Sequence, residues 1–441
     1  MSTSLNFDQT KALNFLIPWY RGLEPYAVLD GPGGTGKSFL VKFLLQRLKV
    51  KTLLLAPTHE ALKQLREKVG DNEFFEYKTV AAALGISPTT SEKDLKFEHI
   101  RLPSMWENFQ FCILDEASMT PGWQLKLLMS TGVKILFVGH KSQLPPVEER
   151  RKLLDKCVSP VFEKGFPTTT LNIPMRNMGK LWKFTQELEN RIYSKTTKVS
   201  NEFDVKREFI KTFLKSEEGR VKLLAGDLKV IAWTNREVNR YSQICRKVIH
   251  GEVALTVDYL PNDRLLLTAP LASLSHLHLA SGASLRKLDK TSSDVKYFYS
   301  NSKMSVIGER EPYVVKLFKD LHVECFRVPV DIEGEKTVIY CARYPAQLKL
   351  AEDFYEKLAW SKSSVKEKEK AYRERHFALS CFAKVSYAFA GTAHRFQGST
   401  IPEVIIGFND IVTNPCFVEQ AKCLYVAASR ASSKLMIYRG I

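Results

Sequence analysis

The sequence predicts an α/β fold built on two parallel sheets with flanking helices. Over roughly the first 180 residues, apolar runs such as AVLD, TLLLAP, FCILDEA and KILFVGH alternate with helical stretches, which is the pattern of a parallel sheet covered by helices. A second α/β pattern begins at LKVIAWTN and returns near the C-terminus in KVSYAFAGTAH, EVIIGF and KLMIY. Between its two parts, runs such as RLLLTAPL and TVIYCA predict a β-rich insertion.

A smaller insertion interrupts the first α/β pattern. The stretch GISPTTSEKDLKFEHIRLPSMWEN is rich in turn formers and then alternates in LKFEHIRL, as a short hairpin does. The charged stretch SKSSVKEKEKAYRERH predicts a charged helix or a linker at the end of the β-rich insertion. The expected segments are a first domain over 1–84 and 109–175, a hairpin over 85–108, a second domain over 176–250 and 376–441, and the β-rich insertion over 251–375.

Composition favours a polyanionic partner and an intracellular location. Lys and Arg total 65 against 48 Asp and Glu, a formal net charge of +17, and such a balance is typical of proteins that bind nucleic acid. The eight cysteines form no CxxC pair and have no His at ligand spacing, so we expect reduced core thiols. The N-terminus MSTSLNFDQT lacks a signal pattern, and no apolar run is long enough for a membrane span.

The stretch GPGGTGKS predicts a phosphate-binding loop. It lies between the apolar run YAVLD and the amphipathic run FLVKFLLQRLK, so a strand precedes it and a helix follows, as the motif requires. In this spacing backbone N–H groups turn toward the phosphates, Lys37 reaches the outer phosphates and the Ser38 hydroxyl ligates Mg²⁺. The residues expected at the nucleotide are Gly31, Gly33, Gly34, Thr35, Gly36, Lys37 and Ser38.

Acidic and amide side chains predict the hydrolytic half of the site. FQFCILDEASM ends a buried strand in Asp115, expected to hold Mg²⁺, and Glu116, expected to orient or deprotonate the attacking water. Gln143, in FVGHKSQLPPVEE, is placed to sense the outer phosphate. Gln9, in NFDQTKAL, is placed to pair with the adenine edge. Because the sequence has no NKxD guanine-reading element, ATP is preferred over GTP.

Two arginines are candidates for neutralising the charge of the transferring phosphoryl group. Arg176 lies in LNIPMRN near the expected domain junction, and Arg430 lies in CLYVAASRASSKLMIY before the final strand. An arginine supplied from a facing domain commonly has this role. An isolated arginine is more often a solvated surface charge, and only the surrounding motifs favour catalysis here.

Polar pairs at the points where strands give way to helices predict contacts to a nucleic-acid backbone. Hydroxyl and N–H groups at a helix start suit a phosphate, although each alone is equally an ordinary helix cap. LLLAPTHEALKQL and IAWTNREVNRY repeat the arrangement in the two α/β patterns. The expected contacts are Pro57, Thr58, His59 and Thr79 in the first pattern and Thr234, Asn235, Thr392 and His394 in the second, and FAGTAHRFQGST adds Gln397 and Gly398.

Taken in order, these motifs resemble those of superfamily 1 helicases. GPGGTGKS, LAPTHEALK, KTVAAALG, ILDEASM, VGHKSQLPPV, LNIPMRN, WTNREVNRY, GTAHRFQGS and LYVAASRA are most similar to the Dda-type helicases of T-even phages, in the branch shared with RecD, superfamily 1B. The resemblance is strong at the motifs and weak through the β-rich insertion. It implies two RecA-like domains with ATP and Mg²⁺ in the cleft between them, 5′-to-3′ translocation on single-stranded DNA, and duplex unwinding.

The resemblance also implies roles for the insertions and a set of partners. The hairpin would be a pin that presents Phe97 to the duplex junction, and the β-rich segment an SH3-like insertion that contacts the pin. The implied partners are single-stranded DNA and duplex junctions, with single-stranded-DNA-binding or replication proteins beside them. No membrane is implied. We expect a monomer that works in the cytoplasm, in a host cell if it is phage-encoded.

Three motifs depart from the family pattern, at four positions. His140 stands where the family usually has Asp, Arg395 and Phe396 replace a lysine and a small residue, and Ser429 replaces Thr. None removes a phosphate, magnesium or arginine group. We expect His140 to weaken the hold on Gln143, and with it the coupling of hydrolysis to movement.

Three alternative functions fit less well. A superfamily 1 motor of opposite polarity usually carries large helical insertions, which the sequence does not suggest. An ATP-gated DNA-binding or loading factor, or a translocase without robust unwinding, stays open because of the altered residues around Gln143 and Arg430. A P-loop kinase of small molecules is disfavoured by Glu116 and by the second α/β pattern. The residues alone do not distinguish a DNA track from an RNA track.

Overall fold

The computed structural model describes residues 4–86, 102, 104–146, 158–175, 179–273, 296–318 and 321–440. The chain divides into two compact units. The first unit comprises Met1–Phe213, Asp227–Val238 and Ala390–Ile441, and the second comprises Leu214–Gly226 and Asn239–Phe389.

The first unit begins with a parallel sheet. Its six described strands lie in the order β3-β2-β4-β5-β1-β6, and every described pairing is parallel. Near-continuous apolar sequence forms the four central strands, β2, β4, β5 and β1, because helices cover both faces of such a sheet. The strands are β1 Tyr26–Asp30, β2 Thr52–Ala56, β3 Phe75–Thr79, β4 Phe111–Leu114, β5 Lys134–Gly139 and β6 Thr168–Thr170.

Helices cover both faces of this sheet. Helices α1, α2 and α3 form one apolar layer with it, and α4, α5 and α6 contribute to the other. Their bounds are α1 Phe7–Arg21, α2 Lys37–Leu48, α3 His59–Val69, α4 Val80–Ala83, α5 Gly122–Met129 and α6 Pro160–Glu163. Short 3₁₀ turns cover Ser104–Asn108 and Ala117–Met119. Most of the expected hairpin over 85–108 lies outside the described residues.

A second sheet begins after this layer. Helix α7 covers Lys180–Ser194, α8 covers Arg207–Lys215 and α9 covers Glu217–Ala225. Strand β7, Leu228–Ala232, then starts the sheet, and α10, Asn235–His250, continues from the first unit into the second.

The second unit is built on an antiparallel sheet, with strand order β12-β13-β11-β8-β15 and β14 paired to β13. Its strands are β8 Arg264–Leu267, β9 Leu271–Ser273, β10 Lys296–Phe298, β11 Lys303–Val306, β12 Glu311–Phe318, β13 Leu321–Ile332, β14 Glu335–Ala342 and β15 Val385–Tyr387. Strands β9 and β10 pair separately. Two helices, α11 Pro345–Trp360 and α12 Val365–Ser380, lie between β14 and β15.

The second unit extends further along the chain than the sequence suggests. We expected KVSYAFAGTAH to belong wholly to the second α/β domain, but Val385–Tyr387 pairs antiparallel with β8, and the parallel sheet resumes only at Ala390. A strand of three residues does not reveal its pairing partner, because its sequence fits either sheet. Helix α12 has the expected charged sequence and starts with a capping box of Ser364 and Glu367.

The chain then returns to the first unit and completes the second sheet. Strands β16 Ala390–Thr392, β17 Ile401–Gly407 and β18 Ala431–Tyr438 join β7 in the order β16-β7-β17-β18, all parallel. Helices α13 Phe408–Val412 and α14 Phe417–Arg430 follow β17. Helices α7, α13 and α14 share one apolar core with this sheet. The two parallel sheets are therefore RecA-like α/β layers, as predicted.

None of the described helices combines the length and apolar character that a membrane crossing needs.

Candidate functional site: the nucleotide loop and the strand ends

The GPGGTGKS loop joins β1 to α2 at the carboxyl edge of the first sheet. Gly36 lies directly before α2 with φ +84°, a conformation that favours glycine. At Gly31 a Cβ atom would lie 2.8 Å from the Leu171 carbonyl oxygen, so a larger residue does not fit. The Thr35 hydroxyl donates to the Pro32 carbonyl at 2.9 Å. A compact loop of this form fits the phosphates of a nucleotide.

Lys37 is held inside this loop. Its ammonium donates to the carbonyl oxygens of Gly31 at 2.5 Å and Pro32 at 3.0 Å. Burial lowers the pKa of Lys37, while the nearby carboxylates of Glu116 and Asp115 oppose that shift. A phosphate group would supply the compensating charge. Ser38 follows on the first turn of α2.

The two acids lie where β4 ends. The N–H of Asp115 donates to the Leu55 carbonyl at 2.9 Å and so continues the hydrogen bonding between β4 and β2. The Asp115 carboxylate accepts from the N–H of Glu116 at 3.0 Å. Burial raises the pKa of Asp115, and the neighbouring Glu116 raises it further. Glu116 has φ 52°, the left-handed region in which a non-glycine residue is held only by its surroundings.

Amide and hydroxyl groups connect Glu116 to the second sheet. Gln143 donates to the Glu116 carboxylate at 3.2 Å and accepts from the Ser118 hydroxyl at 2.8 Å. Gln397, which follows β16, donates to that hydroxyl at 3.1 Å and to the Leu144 carbonyl at 3.4 Å. A continuous hydrogen-bonded chain therefore runs from the acid of the first sheet to the loop after β16.

Arg430, the last residue of α14, lies beside the phosphate loop. A Cβ atom on Gly33 would be 3.6 Å from its guanidinium. The group donates to the Ser399 and Val426 carbonyls, both at 3.2 Å, and to the Ser429 hydroxyl. Burial lowers the pKa of Arg430, and the Glu116 carboxylate opposes this. A cation from the second sheet thus approaches the loop that belongs to the first.

Gln9 lies against the other side of the loop. It is fully buried, and its amide nitrogen donates to the Thr35 carbonyl at 3.3 Å. Its amide oxygen accepts from the N–H of Asn6 in a capping box that starts α1. This cap fixes the amide at the loop, where we expected it to pair with adenine.

Arg176 lies outside the described residues. The chain just before it reaches the loop, because the N–H of Met175 donates to the Gly34 carbonyl at 2.8 Å.

The predicted DNA contacts of the first sheet lie at neighbouring strand ends. Strands β2 and β3 pair with Ala56 opposite Thr79, and Pro57, Thr58 and His59 follow β2 directly. The hydroxyls of Thr58 and Thr79 accept the N–H groups that cap α3 and α4, at 3.2 and 3.3 Å. A hydroxyl that accepts a cap hydrogen bond keeps its own hydrogen for donation to a phosphate oxygen.

The second sheet repeats this arrangement. Thr392, opposite Ala232 in the β16–β7 pairing, accepts from the N–H of Arg395 at 3.2 Å. Thr234 differs, because its hydroxyl donates to the Asp410 carboxylate at 2.8 Å. Asn235 is exposed at the start of α10. Phe97, the expected pin residue, lies outside the described residues.

Among the described residues, three side chains of types that can bind a metal lie close together beside these strand ends. Atoms of His394, Glu419 and Cys423 lie within 4.8 Å of one another, and Glu419 also accepts from the Trp233 indole at 3.3 Å. This places the predicted DNA contact His394 against α14, the helix that ends in Arg430.

Comparison with known proteins agrees with this geometry. The AAA domain model matches residues 4–177, and the UvrD-like helicase C-terminal domain model matches residues 387–438. The chain is 25% identical over 459 residues to the ATP-dependent DNA helicase dda of Enterobacteria phage T4, covering 97% of each chain. It is 23% identical over 473 residues to an uncharacterized protein of Acanthamoeba polyphaga mimivirus, covering 92% of this chain and 94% of that one.

A solved structure shares the fold. The Pif1 helicase from Bacteroides in complex with ADP-AlF3 and ssDNA superposes with a TM-score of 0.52 at 15% identity, covering 99% of this chain and 92% of that one. Over nearly its whole length the chain is therefore similar to a superfamily 1B helicase of the Dda type. The protein is accordingly an ATP-hydrolysing enzyme.

Sequence reasoning missed the side chains that hold the helicase's Gln143 loop. Lys422, on the buried face of α14, donates to the Lys141 and Gln143 carbonyls at 2.9 and 3.0 Å. Glu189 on α7 accepts from the Ser142 hydroxyl at 2.8 Å. The available signal was a lysine inside the otherwise apolar stretch AKCLYVAA, because buried lysines require acceptors.

Proposed function

We propose that this helicase uses ATP to move 5′ to 3′ along single-stranded DNA and to separate the duplex ahead of it. The supporting observation is the chain of contacts from Glu116 through Gln143 and Ser118 to Gln397. These contacts join the hydrolytic acid of one RecA-like layer to the other layer. Loss of the γ-phosphate on hydrolysis would therefore alter hydrogen bonds that extend to the second sheet.

Hydrolysis would depend on charges already gathered at the loop. Lys37 would exchange its loop carbonyls for phosphate oxygens, Glu116 would orient the water, and Arg430 would face the transferring group beside Gly33. Ser38 and Asp115 would hold Mg²⁺, whose charge offsets that of the phosphates. Gln9 would contact the adenine, and Arg176 would add a second cation.

The strand-end residues would grip the DNA backbone. Thr58 and Thr79 would bind one part of the strand, and Asn235, Thr392 and His394 another, so that each layer holds the track in turn. Pro57, His59 and Thr234 would lie along the DNA beside these contacts. Because the partners are phosphates, we expect little sequence preference and weaker binding at high salt.

The hairpin around Phe97 would act as the pin that splits the duplex. Phe97→Ala should lower unwinding of a tailed duplex while translocation and DNA-stimulated hydrolysis persist, and Phe97→Tyr should retain unwinding. If Phe97→Ala unwinds at the normal rate, the pin assignment is wrong. The protein would act as a monomer beside replication or single-stranded-DNA-binding proteins.

The proposed function is tested by ATP hydrolysis with and without an oligothymidylate strand. We expect the strand to stimulate hydrolysis in the natural protein. Lys37→Ala should lower kcat by at least about 100-fold, since it removes a charge that stabilises the transition state. Lys42→Ala, on the same helix, should behave as the natural protein. A rate of ATP hydrolysis that does not change when DNA is added would contradict the proposal that the protein is a DNA-dependent motor.

A further inference from the structure

Residues 140–144, here the sensor loop, contain the phosphate-sensing Gln143 and are bound on both sides. On the side of the first sheet, the His140 Nδ1 atom lies 2.8 Å from an Asp30 carboxylate oxygen. The N–H of Lys141 donates to the same oxygen at 3.2 Å. Asp30 is the last residue of β1, directly before the phosphate loop.

On the other side, the sensor loop is bound by helices of the second sheet. The His140 Nε2 atom lies 2.9 Å from a Glu189 carboxylate oxygen on α7. The Ser142 hydroxyl donates to that oxygen, and Lys422 on α14 donates to two loop carbonyls. His140 thus lies directly between an acid of each layer.

The two contacts of His140 identify its charge state. A neutral imidazole has one N–H donor, whereas an imidazolium has two, and an ionised carboxylate only accepts. With each ring nitrogen at hydrogen-bond distance from a carboxylate, both bonds form only when the ring is protonated. The ring is 2% exposed, so no solvent dipole replaces a lost bond.

We propose that His140, as an imidazolium, is a positioning residue that ties the sensor loop to α7 and so couples the nucleotide to DNA affinity. The inference rests on the proposed function and adds an upper pH limit to it. It also reverses the expectation that His140 loosens the loop, because Glu189 supplies a partner that the sequence does not identify.

The surroundings define the pH window. Burial disfavours the charged ring, but hydrogen bonds to Asp30 and Glu189 outweigh burial, so the pKa of His140 is raised. The other groups that face this site are Tyr193, which contacts the Ser142 hydroxyl, and the buried Tyr425 ring at 5.8 Å, with the cations Lys141 and Lys422. The two hydrogen bonds from His140 to Asp30 and Glu189 are here called the bridge. Because the folded-state pKa of His140 is raised, the bridge is complete below the ordinary histidine pKa of about 6.5 and is lost as pH rises through the higher folded-state pKa.

The test is the affinity for a labelled oligothymidylate, with and without a non-hydrolysable ATP analogue, from about pH 6 to about pH 9. The ratio of the two Kd values measures coupling and needs no unwinding. We expect the ratio to move toward one as pH rises. His140→Asn and Glu189→Gln should each reduce the coupling about fivefold or more at low pH and remove its pH dependence.

Two controls separate positioning from folding. The double variant of His140→Asn and Glu189→Gln should lose no more coupling than either single variant, since both break one bridge. His250→Asn removes another histidine–carboxylate contact, to Asp263 in the second unit, and should leave the profile unchanged. If the variants of His140 and Glu189 do not fold, the pH dependence of the Kd ratio in the natural protein tests the proposal by itself.

A pH-independent ratio in the natural protein would overturn the inference, as would normal coupling in His140→Asn. Failure of the proposed function looks different, because DNA would then leave ATP hydrolysis unchanged at every pH.

Discussion

At the scale of single residues, the proposed nucleotide site is a set of buried and half-buried charges that stabilise one another. Lys37 lies within the field of Asp115 and Glu116, and Arg430 lies within that of Glu116. Each charge is costly to bury alone. The arrangement therefore favours a ligand that brings both negative phosphates and a cation, as magnesium nucleotide does.

Arg430 provides the sharpest prediction at this scale. Arg430→Ala should lower kcat for ATP by about 1,000-fold or more, because an arginine that stabilises the transition state contributes about that much. ATP binding should change far less. Arg430→Lys should not restore the rate, because a lysine lacks the planar fork.

Steady-state kinetics together with a nucleotide-binding titration check this expectation. Arg66→Ala, which removes an exposed arginine paired with Asp71, is the matched control. Near-normal kcat in Arg430→Ala would remove the residue from the catalytic step.

At the scale of elements, the proposed functional residues lie where parallel strands end. Because the carboxyl ends of parallel strands share one edge, β1, β4 and β5 bring the phosphate loop, the acids and Gln143 together. The ends of β2 and β3 bring Thr58 close to Thr79. The proposed catalytic and DNA-binding positions thus follow from one topology.

Thr58 tests the DNA-binding edge. Thr58→Val should raise the Kd for single-stranded DNA about 2- to 10-fold through loss of one phosphate hydrogen bond, while Thr58→Ser should keep it. The Val variant also loses the α3 cap, which costs about 1 kcal/mol.

Ser216→Ala isolates the capping effect, because it removes the cap of α9 in the second unit. Fluorescence anisotropy and thermal unfolding separate the two effects. Equal DNA affinity in Thr58→Val and Thr58→Ser would rule out a hydroxyl contact.

The described part of the second unit contains a fully buried ion pair. Arg246 and Asp263 are both fully buried, and the guanidinium of Arg246 contacts both oxygens of Asp263 at 3.0 to 3.1 Å. Asp263→Asn should destabilise this unit by about 3–5 kcal/mol, since it leaves a buried charge uncompensated.

Urea unfolding measures this loss. Glu311→Gln breaks an exposed pair with Arg327 on the same sheet and should cost about 0–1 kcal/mol. Comparable losses in the two variants would contradict the importance of the buried pair.

At the scale of the whole molecule, local chemistry was predictable from sequence and long-range pairing was not. GPGGTGKS and ILDEASM specify their own strand, turn and helix context, so their placement follows from neighbouring residues. The bridge from His140 to Glu189 joins residues 49 positions apart, and its existence depends on how α7 packs. The pairing of Val385–Tyr387 with β8 is likewise determined by tertiary packing and not by local sequence.

The chain therefore combines two RecA-like layers, one nucleotide site and two sets of strand-end contacts into one proposed motor. Its net charge of +17 suits a phosphate track. The direction of movement is the property that these features together are proposed to produce.

The most direct test is ATP-dependent strand displacement on two duplexes that differ only in whether the single-stranded tail is 5′ or 3′. We expect unwinding of the 5′-tailed duplex alone, with no product for Lys37→Ala. Unwinding of the 3′-tailed duplex alone would contradict the proposed direction. Displacement of neither, with DNA-stimulated hydrolysis intact, would contradict the proposal that this motor separates strands.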